Sequence, residues 1–175
     1  DPNRNTIFAS DRGGPGIPYV EVGYSLDNIN IGQWYDIAFS ANDDSLMFYV
    51  DGILVDRAER TFGNSNWSSS YMWSSLGSGA GYGGNPNINI ANISIWDVDL
   101  NETLINSYRL SGLIGNEIDL VSYWNFNEGS GSIVTDIVSG NNGTINGSIW
   151  SNDAPVSNDS NDPTLTYTSF TTEPN

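Results

Sequence analysis

The stretch between residues 33 and 55 constrains the fold of this chain more than any other part of the sequence. Apolar side chains alternate with their neighbours on both sides of an AsnAspAsp turn at 42–44, at Tyr35, Ile37, Phe39, Leu46, Phe48 and Val50. Such alternation is typical of β-strands with one buried face. Asp51-Gly52 follows, and this pair favours a two-residue turn because both positions need a positive φ. The stretch therefore predicts two consecutive antiparallel hairpins.

Short apolar segments at 17–24, 87–90 and 92–96 repeat the period of two. Residues 1–16 are polar, and ArgGlyGlyProGly at 12–16 is expected to form a loop. Many short strands separated by Gly- and Asn-rich turns are typical of a sandwich of two sheets. The sequence therefore predicts an all-β, antiparallel fold.

One segment departs from this pattern and predicts a short helix. Asn101 is a good N-cap, and Glu102 favours the N-terminal end of a helix. Three apolar residues are spaced to share one face: Leu104, Ile105 and Tyr108. Gly112 is expected to end the helix.

The stretch from Leu120 to Trp150 surrounds two turn-rich sequences, at 128–131 and 139–143, with apolar and aromatic residues. Its pattern predicts strand, turn, strand, tight loop and strand. Residues 151–163 have the composition of a linker, and residues 164–168 alternate like a strand. A Thr- and Asp-rich tail is ordinarily disordered, so a strand within it needs a sheet to hold it.

The charge balance excludes several classes of function. The net charge is −16, and Lys is absent, so the surface would repel the phosphates of a nucleic acid. The chain has no Cys and no His, which excludes disulfides, Ser–His catalysis and the usual zinc sites. No apolar run reaches the roughly 18 residues that a membrane helix needs, so we expect no membrane insertion.

Three segments resemble known families when they are taken together. Residues 34–55 resemble the central hairpin of laminin-G-like and pentraxin-like (concanavalin A-like) jelly rolls, with a Trp, an alternating strand and a Tyr-Val-Asp-Gly turn. Residues 90–105 are similar to the late strand and short helix of these domains. Residues 123–145 look like the strands with which the family fold opens. The resemblance covers about half of the chain.

The resemblance implies a two-sheet antiparallel jelly-roll sandwich with one short helix. The domain would comprise residues 1–155, and residues 113–155 would supply the opening strands of the family fold, displaced to the C-terminal part. Residues 156–175 would form a linker and a strand-like tail. The family's calcium site is not matched, because Ala91-Asn92 stands where many relatives have an acidic pair.

Related glucanases with the same architecture carry three alternating acids on one strand, and this chain carries only part of that motif. Glu117 and Asp119 match, but Val121 and Ser122 stand where the last acid is expected. Without that acid the mechanism lacks its proton donor. We therefore predict no catalytic residues and no enzymatic activity, with a glycan hydrolase as the least favoured alternative.

Calcium is the one cofactor that the sequence favours. Calcium binds several oxygen ligands that converge from a loop. The candidate ligands come from the acidic and Asn-rich turns: Asp136, Asn141, Asn142, the Gly143 carbonyl, Asp97 and Glu128. The alternative is that Asp136 and the Asn side chains cap turns by hydrogen bonds to the backbone.

A Gly-, Ser- and Asn-rich segment at 63–86 supplies the candidate ligand-binding residues. It contains four aromatic residues that could stack on sugar rings: Trp67, Tyr71, Trp73 and Tyr82. The alternative is that these side chains belong to the core of the sandwich.

The tail supplies a candidate for self-assembly. An exposed sheet edge accepts an additional strand through backbone hydrogen bonds. Leu165, Tyr167 and Phe170 would mark an assembly strand that pairs with another copy of the chain.

Together these features predict a non-catalytic, extracellular or cell-surface module that binds glycans or matrix within a surface assembly. The alternative is a structural subunit of an extracellular filament or polymer, in which copies exchange a C-terminal strand. The expected partners are copies of the chain itself, glycans or matrix.

Overall fold

The computed structural model describes residues 5–12, 19–60, 87–155 and 169–172, and it leaves the side chains at 11–12 and 169–172 undescribed. The described residues form mainly antiparallel β-structure with one α-helix and one short 3-10 helix, Leu26–Asn28. The predicted tail residues Leu165 and Tyr167 lie outside the described residues. No helix among those described is long and apolar enough to cross a membrane.

The elements follow one another along the chain in this order: β1 (Thr6–Arg12), β2 (Tyr19–Ser25), β3 (Ile37–Ala41), β4 (Ser45–Val50), β5 (Ile53–Glu59), β6 (Asn89–Ile90), β7 (Ile93–Trp96), α1 (Glu102–Ser111), β8 (Leu120–Trp124), β9 (Ile133–Val134), β10 (Gly143–Thr144), β11 (Ser148–Ser151) and β12 (Ser169–Thr172). The predicted hairpins and helix each correspond to elements of this order. Residues 120–151 contain four strands, β8 to β11, where the sequence pattern predicted three.

The chain divides into two compact units. The first unit comprises residues 3–74 and 99–109, and the second comprises residues 1–2, 75–98 and 110–175. The single domain over residues 1–155 stays a prediction. The strand β12 belongs to the second unit, where it pairs with β11 and β6.

In the first unit, β4 is the central strand of the sheet β3-β4-β5. Five of its six residues are buried, so both of its faces are covered. One face carries Leu46, Phe48 and Val50, which form a core with Val20 and Val22 of β2. This continuous burial explains why apolar residues occupy adjacent as well as alternate positions of β4.

The helix is held against the turn between β4 and β5. Asp51 and Gly52 have φ values of 51° and 75°, as the predicted two-residue turn requires. The Asn106 amide donates to the Gly52 carbonyl at 2.8 Å, and a Cβ on Gly52 would collide with the Asn106 side chain. The helix begins with the predicted N-cap, since the Leu104 N–H donates to Asn101 Oδ1 at 3.0 Å.

The sequence pattern did not predict β1, which ends at Arg12, and residues 13–16 of the predicted loop lie outside the described residues. β1 pairs with β2 over seven residues, from Thr6 opposite Ser25 to Arg12 opposite Tyr19. Ile7 and Ala9 pack against the core of the first unit. Only these two apolar side chains face inward, and this is too few to produce a clear alternating pattern.

The described residues of the second unit form three small sheets, with strand orders β7-β8, β9-β10 and β11-β12-β6. Its core has Phe126 and Val134 at the centre. Five partly buried side chains pack around them: Ile90, Ile93, Trp124, Ile145 and Trp150. Trp124 and Trp150 also hydrogen-bond to the loops that follow β9 and β8, respectively, so they connect these loops to the core.

Candidate functional site

The candidate site consists of two polar loops of the second unit, residues 125–132 and 137–142, which we call the loop cluster. The first loop joins β8 to β9, and the second joins β9 to β10. Asp136 precedes the second loop and forms an isolated antiparallel bridge with Trp124, the last residue of β8. Both loops therefore start next to the end of one strand.

The Asp136 side chain holds the second loop in place. It is 2% exposed, and both of its carboxylate oxygens accept hydrogen bonds. Oδ1 accepts the backbone N–H groups of Tyr123 and Val138, both at 3.0 Å, and of Ser139 at 3.2 Å. Oδ2 accepts the Ser139 hydroxyl and the Asn141 N–H. One carboxylate thus fixes the loop to β8.

These donors also determine the charge state of Asp136. Burial by itself raises the pKa of a carboxyl group. In Asp136, hydrogen bonds from the Ser139 hydroxyl and from the Tyr123 and Val138 N–H groups outweigh burial and hold its pKa well below the usual range. The group is therefore an anion throughout the neutral pH range.

Two indole groups fix the outer parts of the loops. Trp124 Nε1 donates to the Asn141 carbonyl at 3.1 Å. Trp150 Nε1 donates to the Gly131 carbonyl at 2.9 Å. The rings of both residues pack against the core of the second unit, so each loop is tied to a side chain that is itself fixed.

Two further bonds connect the loops to the residues around Asp136. The Thr135 N–H donates to Glu128 Oε1 at 2.7 Å. The Asp136 N–H donates to Asn142 Oδ1 at 3.0 Å. Since Glu128 and Asn142 belong to different loops, consecutive N–H groups tie both loops to the same backbone.

The surface of the loop cluster is mostly polar, with Ile137 as an exposed apolar side chain. Its exposed polar side chains are those of Asn127, Glu128, Ser130, Ser132, Ser139, Asn141 and Asn142. Most of them are amides or hydroxyls, which both donate and accept hydrogen bonds. The fixed backbone presents these groups in a defined arrangement.

Of the candidate calcium ligands, five come together here and one does not. Asp136, Glu128, Asn141 and Asn142 belong to the bonds just described, and Gly143 opens β10 opposite Val134. Asp97 lies elsewhere, since it follows β7 and its N–H donates to the Asp119 carbonyl at 3.0 Å.

Three of the five residues already use a side-chain oxygen as a hydrogen-bond acceptor, namely Asp136, Glu128 and Asn142. Donated N–H groups supply the partial positive charge that a cation would otherwise provide to Asp136. Across residues 5–12, 19–60, 87–155 and 169–172, no group of three or more His, Cys, Asp or Glu residues is placed to hold a metal ion. Calcium binding stays a prediction.

Glu117 and Asp119 do not lie on a strand, because β8 begins at Leu120. The Glu117 carboxylate accepts the N–H groups of Ile114 at 2.7 Å and of Gly115 at 3.0 Å. Asp119 has a φ of 66°, which belongs to a turn. The two side chains therefore lack the alternation that would direct both into one cleft.

The pKa of Glu117 does not suit a proton donor. Burial raises its pKa, but the backbone N–H groups that its carboxylate accepts outweigh burial, and the net pKa is lowered. A general acid in glycoside hydrolysis needs a raised pKa. The surroundings of Glu117 suit a turn-capping anion instead.

Sequence reasoning identified Asp136 as a ligand or a cap but missed the groups that complete the arrangement. The missed contributors are Ser139, Thr135 and the two indole N–H groups of Trp124 and Trp150. An Asp followed by Ser three residues later and then by Gly is a recognisable signal for a capped turn. The indole bonds have no local signal, because their acceptors are 17 and 19 residues away.

The predicted sugar-binding residues Trp67, Tyr71, Trp73 and Tyr82 lie outside the described residues. Comparison of the chain with protein-family models, with curated proteins and with solved structures gives no match.

Proposed function

We propose that this chain is a non-catalytic binding module of the laminin-G-like jelly-roll type. It works in an extracellular or cell-surface assembly and binds glycans or matrix through the loop cluster. The observation that carries this proposal is the fixation of two exposed polar loops by a buried carboxylate and two core-packed indoles.

Fixed polar loops favour binding for an energetic reason. A loop that is ordered before its partner arrives does not lose conformational freedom on binding, so more of the interaction energy appears as affinity. Binding residues are accordingly common on loops that a rigid scaffold positions. The extensive bonding of Asp136 supplies this rigidity for residues 137–142.

The chemistry of the surface favours a neutral glycan. Amides and hydroxyls such as those of Asn127, Ser130 and Asn141 match sugar hydroxyls, which also both donate and accept. The net charge of −16 opposes sulfated or otherwise anionic glycans. The acidic charge is compatible with neutral sugars and with basic matrix proteins.

The proposed jelly roll is supported by the antiparallel pairing of the described strands and by the hairpins at residues 37–59. The non-catalytic role is supported by the position of Glu117 in a turn and by its lowered pKa. Both observations agree with a scaffold that presents loops.

The proposal is tested on an array of neutral glycans, sulfated glycans and matrix proteins, with calcium and with a chelator. We expect binding to neutral glycans or to matrix proteins. Binding only in the presence of calcium would support the calcium prediction as well. A blank array under both conditions would contradict the proposed function.

A matched pair of variants assigns the binding to the loop cluster. Asn127 and Ser130 are exposed within it, and Asn146 is exposed outside it. The double variant Asn127→Ala/Ser130→Ala is expected to weaken binding at least tenfold with an unchanged melting temperature. Asn146→Ala should bind like the unmodified chain. Equal binding by all three proteins would show that another surface is responsible.

A further inference from the structure

The strand β12 occupies the middle of a three-stranded sheet. On one side it pairs with β11, from Ser148 opposite Thr172 to Ser151 opposite Ser169. On the other side it pairs with β6, where Phe170 lies opposite Ile90. Each of its two neighbours therefore depends on β12 for its backbone partners within this sheet.

Without β12, the sheet would have a gap. Its neighbours β11 and β6 would be separated by two strand spacings, about 9.6 Å, which is too far for direct hydrogen bonds. The gap would lie beside Ile90 and Trp150, two side chains that pack on the core of the second unit. We call this position, between β11 and β6, the strand slot.

The connection to β12 is much longer than its pairing requires. Ser151 and Ser169 lie directly opposite one another, and a hairpin of this kind needs about two to five connecting residues. The chain has the 17 residues 152–168 between them. At full extension these residues could span about 55 Å. This length would allow β12 to reach the strand slot of a neighbouring molecule.

We infer that the strand slot accepts β12 from a second copy of this chain. The inference goes beyond the proposed binding function, since it concerns a different surface and a different partner. A strand from a second copy makes the same backbone pairs with β11 and β6 as the chain's own strand. Exchange of an identical element between copies is a low-cost route to assembly.

The balance between the two arrangements depends on concentration. A strand that is covalently tethered near its own slot has an effective concentration in the millimolar range there. Exchange therefore increases as the protein approaches such concentrations. If each copy passes its strand to the next without closing a ring, the product is an open filament.

The register provides a direct test, because the chain contains no Cys. Ser148→Cys is placed in one population and Thr172→Cys in another, so that a disulfide between these positions forms only between chains. Opposed residues of an antiparallel pair have Cα atoms about 4.5–5.5 Å apart, within the range for a disulfide. The populations are mixed at high protein concentration and oxidised mildly.

The control uses the same β11 position with the wrong end of β12. Ser169 lies opposite Ser151, three residues from Ser148 along the sheet, or about 10 Å. A mixture of Ser148→Cys with Ser169→Cys should therefore give few crosslinked dimers. The single chain Ser148→Cys/Thr172→Cys checks the fold, since oxidation at low protein concentration should form the disulfide within one chain and give a monomer.

We expect the matched mixture to give at least fivefold more crosslinked dimer than the mismatched mixture and than either variant alone. Two results would overturn the inference. One is an intrachain disulfide in the double variant without any interchain dimer in the matched mixture. The other is equal crosslinking in matched and mismatched mixtures, which would indicate unspecific contact. No glycan is present, so these results are independent of the proposed binding function.

Discussion

At the scale of single residues, Asp136 connects separate parts of the second unit. Its buried carboxylate accepts the N–H groups of Tyr123 in β8 and of Val138 in the loop between β9 and β10, so one side chain connects a strand to a turn. Sequence reasoning could identify Asp136 as a special residue because Ser and Gly follow it at the spacing of a capped turn. It could not identify Tyr123 as a donor, because that contact depends on the sheet.

Asp136→Asn is expected to lower the free energy of unfolding by on the order of 3 kcal/mol. The amide has the same size as the carboxyl group, but its NH₂ would face backbone N–H donors and leave them unpaired. Urea unfolding measures the change. The control is Asp43→Asn at an exposed position of the β3–β4 turn, with an expected change within about 0.5 kcal/mol. Equal stability of the two variants would contradict the role of Asp136.

The lowered pKa of Asp136 predicts a specific pH dependence. The folded-state pKa lies below the unfolded value of about 3.9, so the group stabilises the fold fully above roughly pH 5. As the pH falls below that range, the unfolded state takes up a proton first and the stabilisation is lost. The stability difference between the unmodified chain and Asp136→Asn should therefore shrink between pH 5 and about pH 2. A constant difference over this range would contradict the assignment.

At the scale of elements, the parts that sequence patterns predict well are those fixed by local contacts. The hairpin over β4 and β5 follows from alternation and from Asp51-Gly52, and α1 follows from Asn101 at its start. β1 was missed because its inward side chains are few and its partner β2 is needed to form it. The strand predicted at 164–168 lies outside the described residues. The described tail strand, Ser169–Thr172, is placed by its pairing partners and not by local pattern.

The docking of α1 on the β4–β5 turn can be tested with two glycines of similar φ. Gly52→Ala is expected to cost about 2–3 kcal/mol, because it adds backbone strain and displaces the Asn106 side chain. Gly32 has a φ of 80° with no atom within 4 Å of an added Cβ, so Gly32→Ala should cost only about 1 kcal/mol of strain. Thermal or urea unfolding measures both variants.

A second change separates the two contributions at Gly52. The double variant Gly52→Ala/Asn106→Ala removes the collision, so it should destabilise less than the sum of the two single variants. Additive effects would show that α1 and the turn are not coupled through Asn106.

At the scale of the whole molecule, charge and chain connection determine how copies meet. Each copy carries a net charge of −16, which opposes the approach of a second copy. Sequence composition predicts this repulsion directly. The position of β12 between β11 and β6 could not be predicted in the same way, since it joins strands from distant parts of the chain.

Salt is therefore expected to promote strand exchange. The screening length falls from about 30 Å at 0.01 M to about 3 Å at 1 M ionic strength. The fraction of dimer and larger species, measured by analytical ultracentrifugation, should rise with salt at fixed protein concentration. The oxidised Ser148→Cys/Thr172→Cys chain is the control, since its β12 is locked and it should stay monomeric. A salt-dependent rise in both proteins would point to association through another surface.

The central claim is that the fixed loop cluster is the binding surface, and amide chemical-shift mapping tests it most directly. A neutral oligosaccharide selected from the array, or a matrix fragment, is titrated into the isotope-labelled chain. We predict that the largest shifts cluster at residues 125–132 and 137–142, with small changes at residues 19–60. Saturable binding with its largest shifts outside these two loops would contradict the claim.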